Sequence, residues 1–356
     1  MRVLIAGGGT GGHLYPGIAL ARALQARDPA TVVTFVGTSA GIESHVVPRE
    51  GFELDVIRSA GLKGLSAAAR LKGLALLPLS ALDAWSVISR RRPAVVVGVG
   101  GYSSGPVLAL AALRRYPTML LEQNALPGLT NRLLARVVRA AAVNFPEALS
   151  FFPGTGFVAG NPVRASFFAP AVEETHDQKV RVLIFGGSQG AHAINVAMVE
   201  AAPQLAAAGG RLAITHQTGA RDLGFVRDAY GRAGLDARVE AFLYEMDREM
   251  TSADLVVSRA GATTLAELAA AGKPAVLVPL PTATDDHQRR NAVAFARAGG
   301  AVVVEERDMG AGRLADTLLA LAGNAGRRRE MGAGSRTLAR PDAAERIADR
   351  VYALAG

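Results

Sequence analysis

Glycine fills five of the six positions 7–12, with Thr10 the exception and His13 next in line. Without side chains, such a stretch lets a bulky anion approach the backbone. It follows the apolar run Arg2–Ala6 and is expected to open a helix with Pro16 in its first turn, aiming bare amide groups and the positive helix end at whatever sits above. The loop is an anion cradle, or else a strand-to-helix turn whose glycines serve packing alone. Thr10 and His13 favour the cradle, because a packing turn needs neither a hydroxyl nor an imidazole.

Two more loops repeat the plan: GVGGYSSGP at Gly98–Pro106 and GGSQGAH at Gly186–His192 each follow a strand-like run and lead into a helical one. Glu122, Gln123 and Asn124 close the apolar run Thr118–Leu121, forming either a plain turn or the lip of a cleft. Ser258–Glu267 (SRAGATTLAE) joins a strand end, a glycine turn and two threonines to a glutamate one turn into a helix, where a capped helix is the plain alternative. Asp285, Asp286 and His287 are adjacent on a loop and are expected to cap a helix rather than chelate, and no second cluster supports a metal. Gly7, Gly9 and Gly12 match the dinucleotide fingerprint, but the chain reads Val36, Gly37, Thr38 where that fingerprint needs a ribose-binding acid. A fingerprint without that acid is weak support for nicotinamide or flavin chemistry.

Strands must hold these loops in place. The runs Arg2–Ala6, Thr31–Gly37, Leu54–Ile57, Ala94–Val99, Thr118–Leu121 and Ala141–Asn144 alternate with alanine- and leucine-rich helical stretches, and several lack polar alternation, as strands of a buried parallel sheet do. A second series follows with Val180–Phe185, Leu212–Gln217, Arg238–Phe242, Asp254–Ser258, Pro274–Val278 and Ala301–Val304. The pattern predicts two doubly wound Rossmann-like α/β domains, residues 1–163 and 164–340, joined by a linker within 165–179 and facing each other across a cleft beyond the strands' carboxyl ends. Residues 341–356 are expected to form a helix that packs back on the first domain.

With 356 residues, half of them hydrophobic, the chain is long enough for two cores. It has no cysteine, which excludes disulfides, thiolate metal sites and cysteine nucleophiles. The opening MRVLIA is too short for a secretory signal, so a cytosolic location is expected. The net charge of +8 is concentrated between Arg58 and Arg139, where twelve basic residues face only Asp83 and Glu122. That segment also carries Leu71, Leu74, Leu76, Leu77, Leu79, Leu82, Trp85 and Ile88, a mixture that suits an anionic membrane surface better than nucleic acid. The longest uncharged run among those leucines, Gly73–Leu82, falls short of the ~20 residues that span a bilayer, so attachment would be peripheral.

Six motifs stand in order over almost the whole chain: GGGTGGHLYPGIALA at Gly7–Ala21, GVGGYSSGP, EQNALPGLTNR at Glu122–Arg132, GNPVR at Gly160–Arg164, GGSQGA at Gly186–Ala191 and SRAGATTLAEL at Ser258–Leu268. Together they resemble the MurG family of bacterial cell-wall glycosyltransferases. The resemblance implies a glycosyltransferase-B fold and inverting transfer of N-acetylglucosamine from UDP-N-acetylglucosamine to the C4 hydroxyl of the muramyl sugar of lipid I. The acceptor is undecaprenyl-pyrophosphoryl-MurNAc-pentapeptide, and the product is lipid II of peptidoglycan biosynthesis. It further implies the cytoplasmic membrane face as location, no cofactor, and proteins of cell-wall synthesis as partners.

Carried over by motif, Thr10, Gly11, Gly12, Asn124 and Arg164 would meet the donor from the first domain. Ser188 would lie by the diphosphate, Leu243 by the uracil, and Ala262, Thr263, Thr264, Leu265, Ala266 and Glu267 along the uridine, with Glu267 on the ribose hydroxyls. Gln288 would bind the hydroxyls of N-acetylglucosamine, and His287 stands beside it where some relatives pair two glutamines. Ala283–Asp285 departs from the charged segment expected there. Glycine loops and helix starts can neutralise the departing diphosphate without metal. A base must also take the proton of the acceptor hydroxyl. The positive potential at a helix start keeps an imidazole uncharged, which makes His13 the first candidate, with Glu122 the alternative and Tyr102 an acceptor contact. The alternative for His13 is packing or diphosphate binding alone. Two rival functions remain: an epimerase of UDP-N-acetylglucosamine, which would need no basic leucine-rich face, and a silent sugar-nucleotide-binding scaffold.

Overall fold

The computed structural model describes the chain except for residues 60–66, 170–178, 188–189, 209, 284–285 and 311, and describes 67–75 by their backbone. Contacts divide it into two compact units, Met1–Arg164 with Arg340–Gly356, and Ala165–Ala339. The expected diphosphate contact Ser188, and Asp285, lie outside the described residues, as does most of the expected linker.

The first unit runs β1 (Arg2–Gly7), α1 (Gly11–Arg27), β2 (Val32–Gly37), α2 (Glu43–Arg49), β3 (Glu53–Val56), α3 (Ala67–Arg91), β4 (Val95–Gly100), α4 (Ser104–Leu113), β5 (Thr118–Glu122), α5 (Leu129–Leu134), β6 (Ala140–Val143) and β7 (Gly156–Val158). Its strands form one parallel sheet in the order β3-β2-β1-β4-β5-β6-β7. Successive strand residues face opposite sides. Val3, Ile5, Val95, Val97 and Val99 thus pack with Leu14, Ile18 and Leu24 of α1, while Leu4, Ala6 and Val96 pack with Ala84, Val87, Ile88, Val107 and Leu108 of α3 and α4. Both faces are covered, which is why β4 is buried at every position and reads as an uninterrupted VVVGVG. Pro16 is not in the first turn: α1 begins at Gly11, leaving Pro16 inside the helix, where it has no N–H to return to the carbonyl four residues back.

The second unit runs β8 (Val180–Phe185), α6 (His192–Ala207), β9 (Leu212–Gln217), α7 (Leu223–Ala233), β10 (Ala237–Glu240), α8 (Met246–Ser252), β11 (Leu255–Ser258), α9 (Ala262–Ala271), β12 (Ala275–Leu277), α10 (His287–Arg297), β13 (Ala301–Val303), α11 (Arg313–Ala322) and α12 (Ala325–Arg336). Its parallel sheet has the order β10-β9-β8-β11-β12-β13. In both units the order reverses beside the first strand, opening a crevice at the carboxyl ends where doubly wound folds bind ligands.

The last helix, α13 (Ala343–Ala355), belongs to the first unit. Ala343, Ile347 and Val351 recur at helical spacing and are buried, Ile347 and Val351 against the α1 side of that core. Tyr352 fixes the contact: its hydroxyl donates to the Leu24 carbonyl at 3.1 Å and lies 2.9 Å from the Thr31 hydroxyl.

Candidate active site

In the first unit, β1, β4 and β5 are sheet neighbours, so their carboxyl ends bring the loops around residues 8–10, 101–103 and 123–128 side by side. The first two loops interlock through backbone. Gly8 donates its N–H to the Gly100 carbonyl at 3.3 Å, and a Cβ on Gly101 would strike the Gly8 carbonyl. Packing therefore accounts for part of the glycine content attributed above to anion binding. Thr10 caps α1 from an extended conformation, yet its hydroxyl bonds no helix amide and lies instead 3.2 Å from Nδ1 of His13. The His13 ring rests on Gly100, where any side chain would collide with it. Thr10, Gly11, Gly12 and His13 thus share one corner with the Gly100–Tyr102 turn. Tyr102 is exposed there, and its carbonyl accepts from the Ser59 hydroxyl at 2.9 Å.

Glu122 is not on an open lip. It is 3% exposed, and its carboxylate accepts from the Asn124 amide N–H (2.9 Å), the Gly128 N–H (3.0 Å) and the Asn131 side chain (2.8 Å). Burial pushes its pKa up against these hydrogen bonds, which pull it down. With both oxygens engaged, Glu122 clamps the turn that presents Asn124. Gln123 adds a second tie by donating to the Val99 carbonyl at 3.0 Å, and Arg164 stacks over the Tyr15 ring at 4.9 Å.

The basic leucine-rich segment is partly neutralised by acids that its own charge count does not contain. Arg90 pairs with Asp55 and Arg91 with both Asp55 and Glu53, while Arg58 pairs with Asp83 inside the counted segment. What α3 leaves at the surface is more apolar than its sequence implies: Leu77, Leu79, Leu82 (64% exposed) and Trp85 (51%), with the Arg114 guanidinium 4.2 Å above the Trp85 ring.

In the second unit the expected donor contacts also gather at strand ends. Ala262–Glu267 open α9, which Gly261 caps, and Ala262, Thr263, Leu265 and Glu267 are buried while Thr264 and Ala266 are half-buried. Gln288, in the first turn of α10, accepts from the Leu280 N–H at 3.0 Å, so its side-chain oxygen holds the preceding loop. Sequence reasoning missed Gln217 at the end of β9. Its amide donates to the Gly187 carbonyl at 2.8 Å and accepts from the Leu243 N–H at 2.8 Å, tying the glycine loop to Leu243.

Beneath α6 runs a buried polar relay. Asn195 donates to the Thr218 carbonyl and to Asp222, so its oxygen must accept, and His216 Nε2 at 3.1 Å is the donor. His216 Nδ1 then accepts from the Tyr230 hydroxyl at 2.8 Å, which fixes a neutral tautomer. At the other end, His192, the first residue of α6, lies 2.8 Å from Asp222 through Nδ1. Burial lowers the His216 pKa from 6.5 to about 3. An unfolded chain takes up that proton near pH 6.5 while the folded chain refuses it until about pH 3, so stability falls as pH falls through this window. The expected slope is at most about 1.4 kcal/mol per pH unit. Urea unfolding between pH 7 and pH 4 checks it, since His216→Gln removes this component and flattens the slope.

Over 98% of this chain and 92% of its own length, a transferase from Anaeromyxobacter sp. (strain K) is 48% identical. The models of the glycosyltransferase family 28 N-terminal and C-terminal domains match residues 3–143 and 181–347. The chain belongs to glycosyltransferase family 28, within its MurG family. The Anaeromyxobacter relative is named UDP-N-acetylglucosamine–N-acetylmuramyl-(pentapeptide) pyrophosphoryl-undecaprenol N-acetylglucosamine transferase. The crystal structure of Acinetobacter baumannii MurG superposes with a TM-score of 0.73 at 30% identity, covering 99% of each chain. The fold is accordingly glycosyltransferase-B. It is shared by the UDP-GlcNAc 2-epimerase of Neisseria meningitidis, with a TM-score of 0.69 over 99% of this chain and all of that one, but at 13% identity that likeness speaks of architecture alone.

Proposed function

We propose that this chain transfers N-acetylglucosamine from UDP-N-acetylglucosamine to the C4 hydroxyl of the muramyl sugar of undecaprenyl-pyrophosphoryl-MurNAc-pentapeptide, inverting the anomeric centre. The observation that carries this reading is the match, over nearly the full length of both chains, to a transferase named for that donor and acceptor. Conserving the donor alone would suit an epimerase equally well. Here the acceptor is in the relative's name too, and the identity lies far above that of the epimerase fold neighbour.

The acceptor oxygen attacks the anomeric carbon on the side opposite the diphosphate. The bond from that carbon to the diphosphate oxygen breaks, its electron pair leaves with UDP, and the hydroxyl proton passes to His13. The contact with Thr10 supports this role: if Nδ1–H donates to the threonine hydroxyl, Nε2 keeps a lone pair for the proton. Glu122 is assigned to holding Asn124 in place, and Tyr102 to the acceptor side. Backbone amides of the loop 186–191 and the start of α6 take the charge that develops on the diphosphate. Leu243, Ala262–Glu267 and Gln288 hold uridine and sugar, and Gln217 keeps Leu243 in register with the glycine loop.

The membrane-bound acceptor calls for a membrane-facing surface. No helix among the described residues is long and apolar enough to cross a bilayer. Leu82 and Trp85 on α3, beside Arg114, instead suit the boundary of an anionic leaflet at its cytoplasmic face. Transfer of labelled N-acetylglucosamine to a lipid I analogue tests the reading, and no transfer by the folded protein rejects it. Sedimentation with anionic vesicles tests the attachment: Leu82→Ser with Trp85→Ser should lose most of the vesicle-bound fraction while transfer to a short-chain soluble acceptor persists.

A further inference from the structure

Glu43 has no part in the motifs, yet it is 1% exposed and lies directly under the first glycine loop. Its Oε2 accepts from the Gly9 N–H at 2.7 Å, and its Oε1 accepts from the Thr38 N–H at 2.8 Å and the Thr38 hydroxyl at 2.9 Å. All three partners are donors, and a carboxylate is the side chain that offers only acceptors. The surrounding backbone is shaped to admit it: a Cβ on Gly8, Gly37 or Gly41 would collide with the Glu43 side chain. In dinucleotide folds an acid at the end of the second strand reaches outward to a ribose, while the glycine loop's amides take a phosphate. Here the acid comes from the start of α2 and reaches inward to one of those amides, that of Gly9, and to Thr38 at the end of β2.

We infer that Glu43 is a positioning residue for the transfer, an internal carboxylate that holds the Gly9 amide of the first glycine loop and thereby fixes Thr10 and His13 against Gly100. The inference rests on the reading of His13 as the base. Gly9 is joined directly to Thr10, whose hydroxyl meets His13 Nδ1, so a shift of Gly9 moves the cap and the imidazole with it. The same arrangement suits a glycine loop that serves acceptor chemistry, since its Gly9 amide is taken from within the chain.

Glu43→Gln keeps the side chain's size but turns an N–H₂ toward either Gly9 or Thr38, leaving donor against donor. It should lower kcat about 10- to 100-fold, as displacement of a reacting group by about 1 Å does, with KM for UDP-N-acetylglucosamine within about threefold. Glu43→Ala leaves a hole of carboxylate shape, and added acetate or formate should restore a large part of kcat in that variant while doing nothing for the wild type. In parallel, the His13 ring resonances should shift in Glu43→Ala and return on adding acetate, a readout that does not depend on transfer. Wild-type kcat in Glu43→Gln, or a loss in folded Glu43→Ala that acetate rescues neither in rate nor in the His13 resonances, overturns the inference. If Glu43→Ala does not fold, Glu43→Gln decides alone. A wild-type protein without transfer activity sinks the functional reading instead, and the His13 resonances then still test whether Glu43 sets that ring.

Discussion

Replacing His13 with Ala is expected to lower kcat about 10²- to 10⁴-fold, the range general-base catalysis supplies, with KM for UDP-N-acetylglucosamine nearly unchanged. The split is the informative part. The residues assigned to uridine and diphosphate belong to the second unit, whereas His13 touches Thr10 and Gly100 in the first. A residue that merely packed or bound diphosphate would raise KM, and a loss shared between kcat and KM would move His13 to that role. Glu122→Gln is the companion measurement. Because both Glu122 oxygens accept hydrogen bonds, an amide there faces a donor it cannot satisfy, at a cost of about 1–3 kcal/mol for the orphaned group. Its signature is a lower melting temperature with the base-dependent limb of the pH–rate profile kept. Disappearance of that limb in Glu122→Gln would reinstate it as the base.

The two sheets were legible because their strands are buried on both faces and read as apolar runs: Val180–Phe185 and Leu212–Gln217 coincide with β8 and β9 to the residue. Elements without such a run escaped. The edge strand β7 has three residues, all half-buried, and α12 presents Met331 together with Gly332 and Ser335, small residues that let it approach the Gly272 carbonyl and so leave no apolar stripe to detect. The site divides the same way. Thr10, His13 and the glycines are contiguous, and their chemistry was visible in their types. The residues that hold them come from far along the chain: Glu43 lies 34 positions from Gly9, and Gln217 lies 26 from Leu243. No local pattern marks such a partner before the fold places it. Glu122 was visible as a residue but not in its role, because burial and the Asn131 contact are tertiary facts. The charge count failed for a related reason, since Asp55 and Glu53, which pair with Arg90 and Arg91, sit on β3 outside the segment counted.

Gly100→Ala should be nearly as damaging as loss of the imidazole itself, although it removes no functional group. Gly100 has a φ of +97°, where an L side chain is strained by about 1–3 kcal/mol, and its new methyl would occupy the space of the His13 ring. The ring must tilt away, and displacement of a base by about 1 Å is enough to cost about 10²-fold in kcat. The double variant separates the two contributions. With His13 already Ala, the methyl has no ring to displace, so adding Gly100→Ala should cost little further kcat and leave only the backbone strain, seen as a lower melting temperature. The coupling should therefore be large and should relieve, with the double variant turning over about as fast as His13→Ala alone. Multiplicative losses would mean that Gly100 serves the reaction independently of the ring. In that case the turn Gly100–Tyr102 would have to be placed against the acceptor on its own account.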